Sequence, residues 1–146
     1  MTASAALGDR LEQLCQEFAG LDVRDRLELL LEYAESLPPL PERFAALRQD
    51  ESHRVPECQT PVYLFTELED GRLRLHAEVA PEAPTVKGFV AILRELVTGA
   101  LPAEVATLDV DLLRRLGLVE ALGMVRMRGL RAVFQRIRNE ARRLAA

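Results

Sequence analysis

Cys58 stands in the segment Arg54-Val55-Pro56-Glu57-Cys58-Gln59-Thr60-Pro61-Val62. A cysteine is a strong nucleophile as its thiolate and takes part in persulfide and disulfide exchange. The prolines on either side keep it out of helix and strand interiors, so it sits in a loop just ahead of a β-rich run. A loop at the end of a sheet presents a thiol to a partner, and short rigid flanks reduce the entropy lost on docking. By spacing alone, a lone loop cysteine is a weak signal that favours a buried or incidental role.

The remaining chemistry-bearing residues read more quietly. Cys15 falls on a helical stripe with Leu11, Leu14 and Phe18, where a small apolar side chain packs and reactivity is suppressed. His53 and His76 have neither the Cys-x-x-Cys nor the His-x-x-x-His spacing of a zinc site and are expected to face solvent. Gly88 interrupts the apolar helix VKGFV, at a cost of about 1 kcal/mol relative to alanine, which marks a close backbone approach. Lys87 beside it reads as a solvated charge. Arginines 126, 128, 131, 136, 138, 142 and 143 lie mostly off the apolar stripe of the last helix, as a solvated face or a docking surface.

The elements that position these residues follow from periodicity. Leu7, Leu11, Leu14, Phe18 and Leu21 mark an amphipathic helix over about residues 5–19, closed by Gly20. Asp22 caps a second, which runs to about Leu37 with Leu27, Leu30, Leu31 and Ala34 inward and stops at LPPLPE. A helical turn is expected near Phe44 and a short strand near Ser52–Val55. VYLFTEL, the turn EDG and RLRLHAEV then spell a hairpin. Its second strand turns Leu73, Leu75, Ala77 and Val79 inward and leaves a wet face outside. Pro84 opens a helix striped by Val86, Phe89, Val90, Leu93, Leu96 and Val97 and ended by Gly99. Short helices near 102–106 and 109–122 lead to a longer one from about Met127, with Leu130, Val133, Phe134, Ile137, Ala141 and Leu144 inward. The order predicts an α+β fold, a small antiparallel sheet of about three strands with helices on one face.

A length of 146 residues, about half of them apolar, suits a single domain over 1–146. No run approaches the roughly 18 to 20 uncharged apolar residues of a membrane span, and the opening MTASAALGDR lacks the pattern of a signal peptide. The expectation is a cytoplasmic protein with free thiols, since two distant cysteines make no disulfide framework. Charge divides unevenly. Residues 1–80 carry eight basic and sixteen acidic side chains, residues 81–146 eleven and seven. That polarity suits protein docking, whereas one lysine and few aromatics give no nucleic-acid surface.

RVPECQTPVYL, TVKGFVAILRELVTG and VRMRGLRAVFQRIR, in this order and spacing, resemble the SufE family of cysteine desulfuration proteins. The diagnostic pieces are C-Q-T/S, V-K-G and R-x-x-G-L, and the two leading helices also fit the family layout. The resemblance implies a fold like that of SufE and IscU and a role for Cys58 as persulfide acceptor. Sulfur would come from a pyridoxal-phosphate cysteine desulfurase, SufS or a relative, which the protein would stimulate, and pass to a SufBCD-type iron–sulfur scaffold. The chain itself would hold no cofactor and no metal, the pyridoxal phosphate belonging to the desulfurase. Gln59, Lys87, Gly88, Arg126, Gly129 and Leu130 match the other motif positions. Arg126 is expected near the thiolate or on the docking face, and Gly88 as structural. Many members have glycine where this chain has Glu57, whose charge would raise the thiol pKa. The usual Ser-Arg is Val125-Arg126 here, without the hydroxyl.

Two other readings compete. A stand-alone cysteine enzyme, a thiol hydrolase or peroxidase with His76 or His53 as base, wants a Cys–His–Asn/Asp constellation that is not evident. A cluster scaffold similar to IscU would want several thiolate ligands.

Overall fold

A computed structural model of the chain describes residues 3–109 and 112–146. Helix α1 (Ala3–Phe18) buries Leu7, Leu14 and Phe18. Asp22 caps α2 (Val23–Ser36): its carboxylate accepts a 2.8 Å hydrogen bond from the Asp25 N–H, satisfying one of the helix's unpaired donors. Leu30 and Ala34 are the buried residues of α2. Leu31 was expected inward but is 41% exposed, because it lies about 100° round the helix from Leu30, which takes the contact.

The expected antiparallel hairpin forms, with Glu69 in the first strand rather than in the turn. Strand β1 (Val62–Glu69) pairs antiparallel with β2 (Arg72–Val79), from Val62 opposite Val79 to Glu69 opposite Arg72. The connection is the two-residue turn Asp70-Gly71, with φ of 55° and 77°. Positive φ at both positions is what a type I′ turn needs and what Asp-Gly tolerates. Leu73, Leu75, Ala77 and Val79 are all buried.

The sheet has two strands, not about three. Residues Glu51–His53 curl into a 3₁₀ turn capped by Asp50, whose carboxylate accepts from the Ser52 N–H at 3.0 Å. Only Arg54 bridges to Tyr63. Pro56, which has no N–H to give, then prevents further pairing.

The outer sheet face is also drier than the alternation implied. Phe44 of the short helix α3 (Glu42–Ala45) lies 5.0 Å, centroid to centroid, from Phe65 and 4.9 Å from His76. His53 stacks on Phe65 at 4.5 Å. Phe65 is consequently buried. The histidines therefore do not simply face solvent: they belong to an aromatic cluster, and His76 Nε2 sits 2.6 Å from the Glu67 carboxylate.

Helix α4 (Pro84–Val97) is the centre of the molecule, packed against α1, α2 and β2 and against the last helix. Nine of its residues are buried, including the whole expected stripe. Fully burying a side chain such as Phe89 or Leu93 is worth about 1.5–3 kcal/mol. Gly88 is the point of contact with α2. A Cβ there would lie 2.1 Å from the Leu30 carbonyl oxygen, so only glycine lets the two backbones meet.

Helices α5 (Pro102–Val105) and α6 (Leu112–Arg115) lead to α7 (Leu118–Ala145). The start of the helix expected over 109–122 includes residues 110 and 111, which lie outside the described residues. The long helix begins before Met127: Gly123, at φ 81° and ψ 167°, breaks α7, and the chain is helical again from Met124. That backbone conformation is open essentially to glycine alone. The buried stripe of α7 runs through Met127, Leu130, Val133, Phe134, Ile137 and Ala141.

Candidate functional site

The Cys58 loop is a short closed structure. The Val55 N–H donates to the Val62 carbonyl at 2.9 Å, forming a neck around residues 56–61. Inside it the Cys58 N–H donates to the Val55 carbonyl at 3.3 Å. Pro56 and Pro61 stand immediately inside the neck, where their fixed φ stiffens both arms. The tip turns inward, and Cys58 is only 5% exposed.

Gly129 explains how the tip fits. A Cβ on Gly129 would lie 3.2 Å from Cys58 Sγ and 3.3 Å from its Cα, so the bare backbone of α7 is the floor on which the cysteine rests. The glycine of R-x-x-G-L is thus a contact for the cysteine of C-Q-T, although the two are far apart in sequence.

Beside the thiol lies an open cavity of about 850 Å³. The loop supplies Glu57, Cys58, Gln59 and Thr60, the start of α4 supplies Pro84 and Thr85, and α7 supplies Met124, Val125, Arg126, Arg128, Gly129 and Arg131. Arg126 Nη1 donates to Thr85 Oγ1 at 2.7 Å, joining α7 to α4. The hydroxyl partner that Val125 cannot provide therefore comes from Thr85. Met124 and Val125, in the turn that follows the Gly123 break, are 71% and 76% exposed, making an apolar rim on a basic edge.

The thiol is held above its ordinary pKa. Burial is the main cause, since it disfavours the thiolate; the Thr60 N–H and the Arg54 guanidinium pull in the opposite direction with smaller effect. Glu57, expected to raise the thiol by its charge, is exposed, and burial is what raises it instead. Cys58 at rest is thus a protonated, covered thiol. Arg54 escaped the sequence reading because the contact of a residue four positions away depends on how the loop folds back.

The site therefore gathers Cys58, Gln59, Arg126 and Gly129. It does not gather Lys87, which is half-buried on α4 and does not line the cavity, or Gly88, which faces α2. Leu130 is core. His53 and His76 are occupied on the outer sheet face, and neither histidine lines the cavity. Cys15 is half-buried, and burial again raises its thiol, with Arg115 opposing and Glu12 adding. Among the described residues no three His, Cys, Asp or Glu side chains gather as metal ligands, and no helix is long and apolar enough to cross a membrane.

Comparison with known proteins gives the family of the chain. The family model described as the SufE Fe-S metabolism associated domain matches residues 12–141. An uncharacterized SufE-like protein of Mycobacterium tuberculosis is 36% identical over 143 residues, covering 97% of this chain and 98% of its own. One from Rhizobium meliloti is 32% identical over 137 residues, covering 90% and 94%. The solution structure of a hypothetical protein from Thermus thermophilus superposes with a TM-score of 0.78 at 37% identity, covering 92% of this chain and 95% of that one. With the cysteine, the glycine beneath it and the arginine beside it in one site, the chain belongs to the SufE family, whose domain is associated with iron–sulfur metabolism.

Proposed function

We propose that the protein is a sulfur carrier: Cys58 takes sulfane sulfur from a pyridoxal-phosphate cysteine desulfurase of the SufS type, stimulates that enzyme by relieving it of its persulfide, and passes the sulfur to a SufBCD-type scaffold. The Cys58 thiol loses its proton and its thiolate attacks the terminal sulfur of the donor's persulfide. The new S–S bond forms as the donor's S–S bond breaks, and the donor cysteine leaves as thiolate. The exchange needs no external oxidant or reductant.

The observation that carries this reading is a nearly covered cysteine, on a loop with its own neck, beside an open cavity of about 850 Å³. Burial shields a bound persulfide from stray thiols between donor and acceptor, and it requires the tip to move out when either partner docks. A partner that reaches Cys58 covers Met124, Val125 and the arginines of the rim. A hydrolase or peroxidase reading fits less well, because the thiol pKa is raised and neither histidine stands beside it as a base.

The test is mass spectrometry after mixing with a desulfurase, pyridoxal phosphate and cysteine. Wild-type protein should gain the mass of one sulfur atom on the Cys58 peptide, labile to reductant. Cys58→Ser keeps nearly the same volume, should fold, and should gain none. If Cys58→Ser raised desulfurase turnover as well as wild type does, the protein would be an allosteric activator and the carrier mechanism would fail.

A further inference from the structure

We infer that Arg136 is a positioning residue for sulfur transfer: it pins the base of the Cys58 loop to α7, so that the tip opens about a fixed neck and meets its partner in one orientation. The inference rests on the carrier reading above. Arg136 stands seven residues, about two helical turns, beyond Gly129, on the same side of α7. One helix face therefore meets both the tip of the loop and its base.

The two contacts differ in kind. At the base, Arg136 Nη1 donates to the Arg54 carbonyl at 3.4 Å, and Nη2 donates to the Ser52 carbonyl. Glu140, 3.7 Å from Arg136 Nε, steers the guanidinium. The same base is fixed by the Val55–Val62 hydrogen bond, the Arg54–Tyr63 bridge and the buried Val55 side chain. At the tip, Cys58 meets α7 through the packing of its sulfur and Cα over Gly129, and the hydrogen bonds of Cys58 and Thr60 stay within the loop. Packing contacts give way one at a time, whereas charge-assisted hydrogen bonds to carbonyls hold a backbone in place. Residues 56–61 are thus the moving part and 52–55 the post. A post matters because transfer needs the attacking sulfur aligned at about 3–3.5 Å, and misplacement by about 1 Å lowers a rate as much as 100-fold.

The experiment uses Arg136→Ala in the full chain, with two readouts that should move in opposite directions. Alkylation of Cys58 by N-ethylmaleimide, mapped by peptide mass with Cys15 as internal reference, should rise roughly fivefold, the scale of about 1 kcal/mol of lost hydrogen bonding. Persulfide transfer from the desulfurase should fall roughly tenfold or more at saturating partner, the signature of lost alignment. Arg136→Lys, which keeps a donor for the carbonyls, should recover most of both. Cys58 alkylation at the wild-type rate, a parallel rise at Cys15, or undiminished transfer would overturn the inference. Amide hydrogen exchange on wild-type protein does not depend on a variant folding: Val55 should exchange much more slowly than Gln59, and equal rates would refute a fixed neck. Absence of any transfer in wild type would sink the carrier reading and leave the alkylation and exchange results standing.

Discussion

Gly129→Ala sets two effects of similar size against each other at a single atom. In the interior of a helix, alanine is favoured over glycine by roughly 1 kcal/mol. Here the new methyl would meet Cys58 Sγ at 3.2 Å and its Cα at 3.3 Å, a few tenths of an ångström inside ordinary carbon contacts. Over-packing of this kind costs about 1–3 kcal/mol when the neighbours cannot shift. The neighbour here is a loop tip and can shift, so global stability should change by under about 1 kcal/mol, with the strain relieved by displacing Cys58. A closed state weakened by about 1–2 kcal/mol opens roughly 5- to 30-fold more often. Alkylation of Cys58 should speed up by that factor while Cys15 keeps its rate and the melting temperature moves by only a few degrees, about 2–8 °C per kcal/mol for a chain of this size. If Gly129→Ala gained the full helix-propensity stabilisation and left Cys58 labelling unchanged, the contact between tip and helix would be wrong.

Gly88→Ala should behave differently, because its methyl would strike the Leu30 carbonyl at 2.1 Å and neither helix backbone can yield; urea unfolding should show a loss of about 3 kcal/mol or more. Arg126→Ala and Thr85→Val each remove the 2.7 Å bond across the cavity, so both should lower desulfurase stimulation while costing under about 1.5 kcal/mol in folding. An equal loss of melting temperature and activity would make that bond merely structural. Converting Met124 and Val125 together to aspartate should weaken partner binding, read by titration calorimetry, without lowering the melting point, since both side chains are already exposed. The raised Cys58 thiol predicts a pH effect. Its stabilisation is complete below the free-thiol pKa of about 8.5, and it is lost as pH rises towards the folded value, because the unfolded chain releases the proton first. Melting temperature should therefore fall more steeply in wild type than in Cys58→Ser as pH rises above about 8.5; identical slopes would mean that the thiol is not perturbed.

Local patterning determined most of the elements. Apolar spacing set α1, α2, α4 and the inward stripe of α7; the Asp-Gly turn and strict alternation set the hairpin; and two prolines placed Cys58 in a loop. Gly88 announced a close approach because glycine inside an apolar helix is costly without one. These features depend on neighbours within a few residues, which the sequence displays directly.

Only the tertiary structure decided the rest. Segment 52–55 looked extended, but the Asp50 cap and the docking of His53 on Phe65 curled its first part and left a single bridge. The polar side of β2 looked wet, yet Phe44 arrived from a distant turn to cover it. Arg126 lacked a hydroxyl neighbour in sequence and found Thr85 across the cavity, while Arg136 looked like one more solvated charge until its guanidinium reached the carbonyls before the loop. The state of the thiol followed the same rule. The charge of Glu57 can be read from the chain, but the thiol is raised by burial over Gly129, and burial is fixed by which surfaces meet rather than by which residues are adjacent.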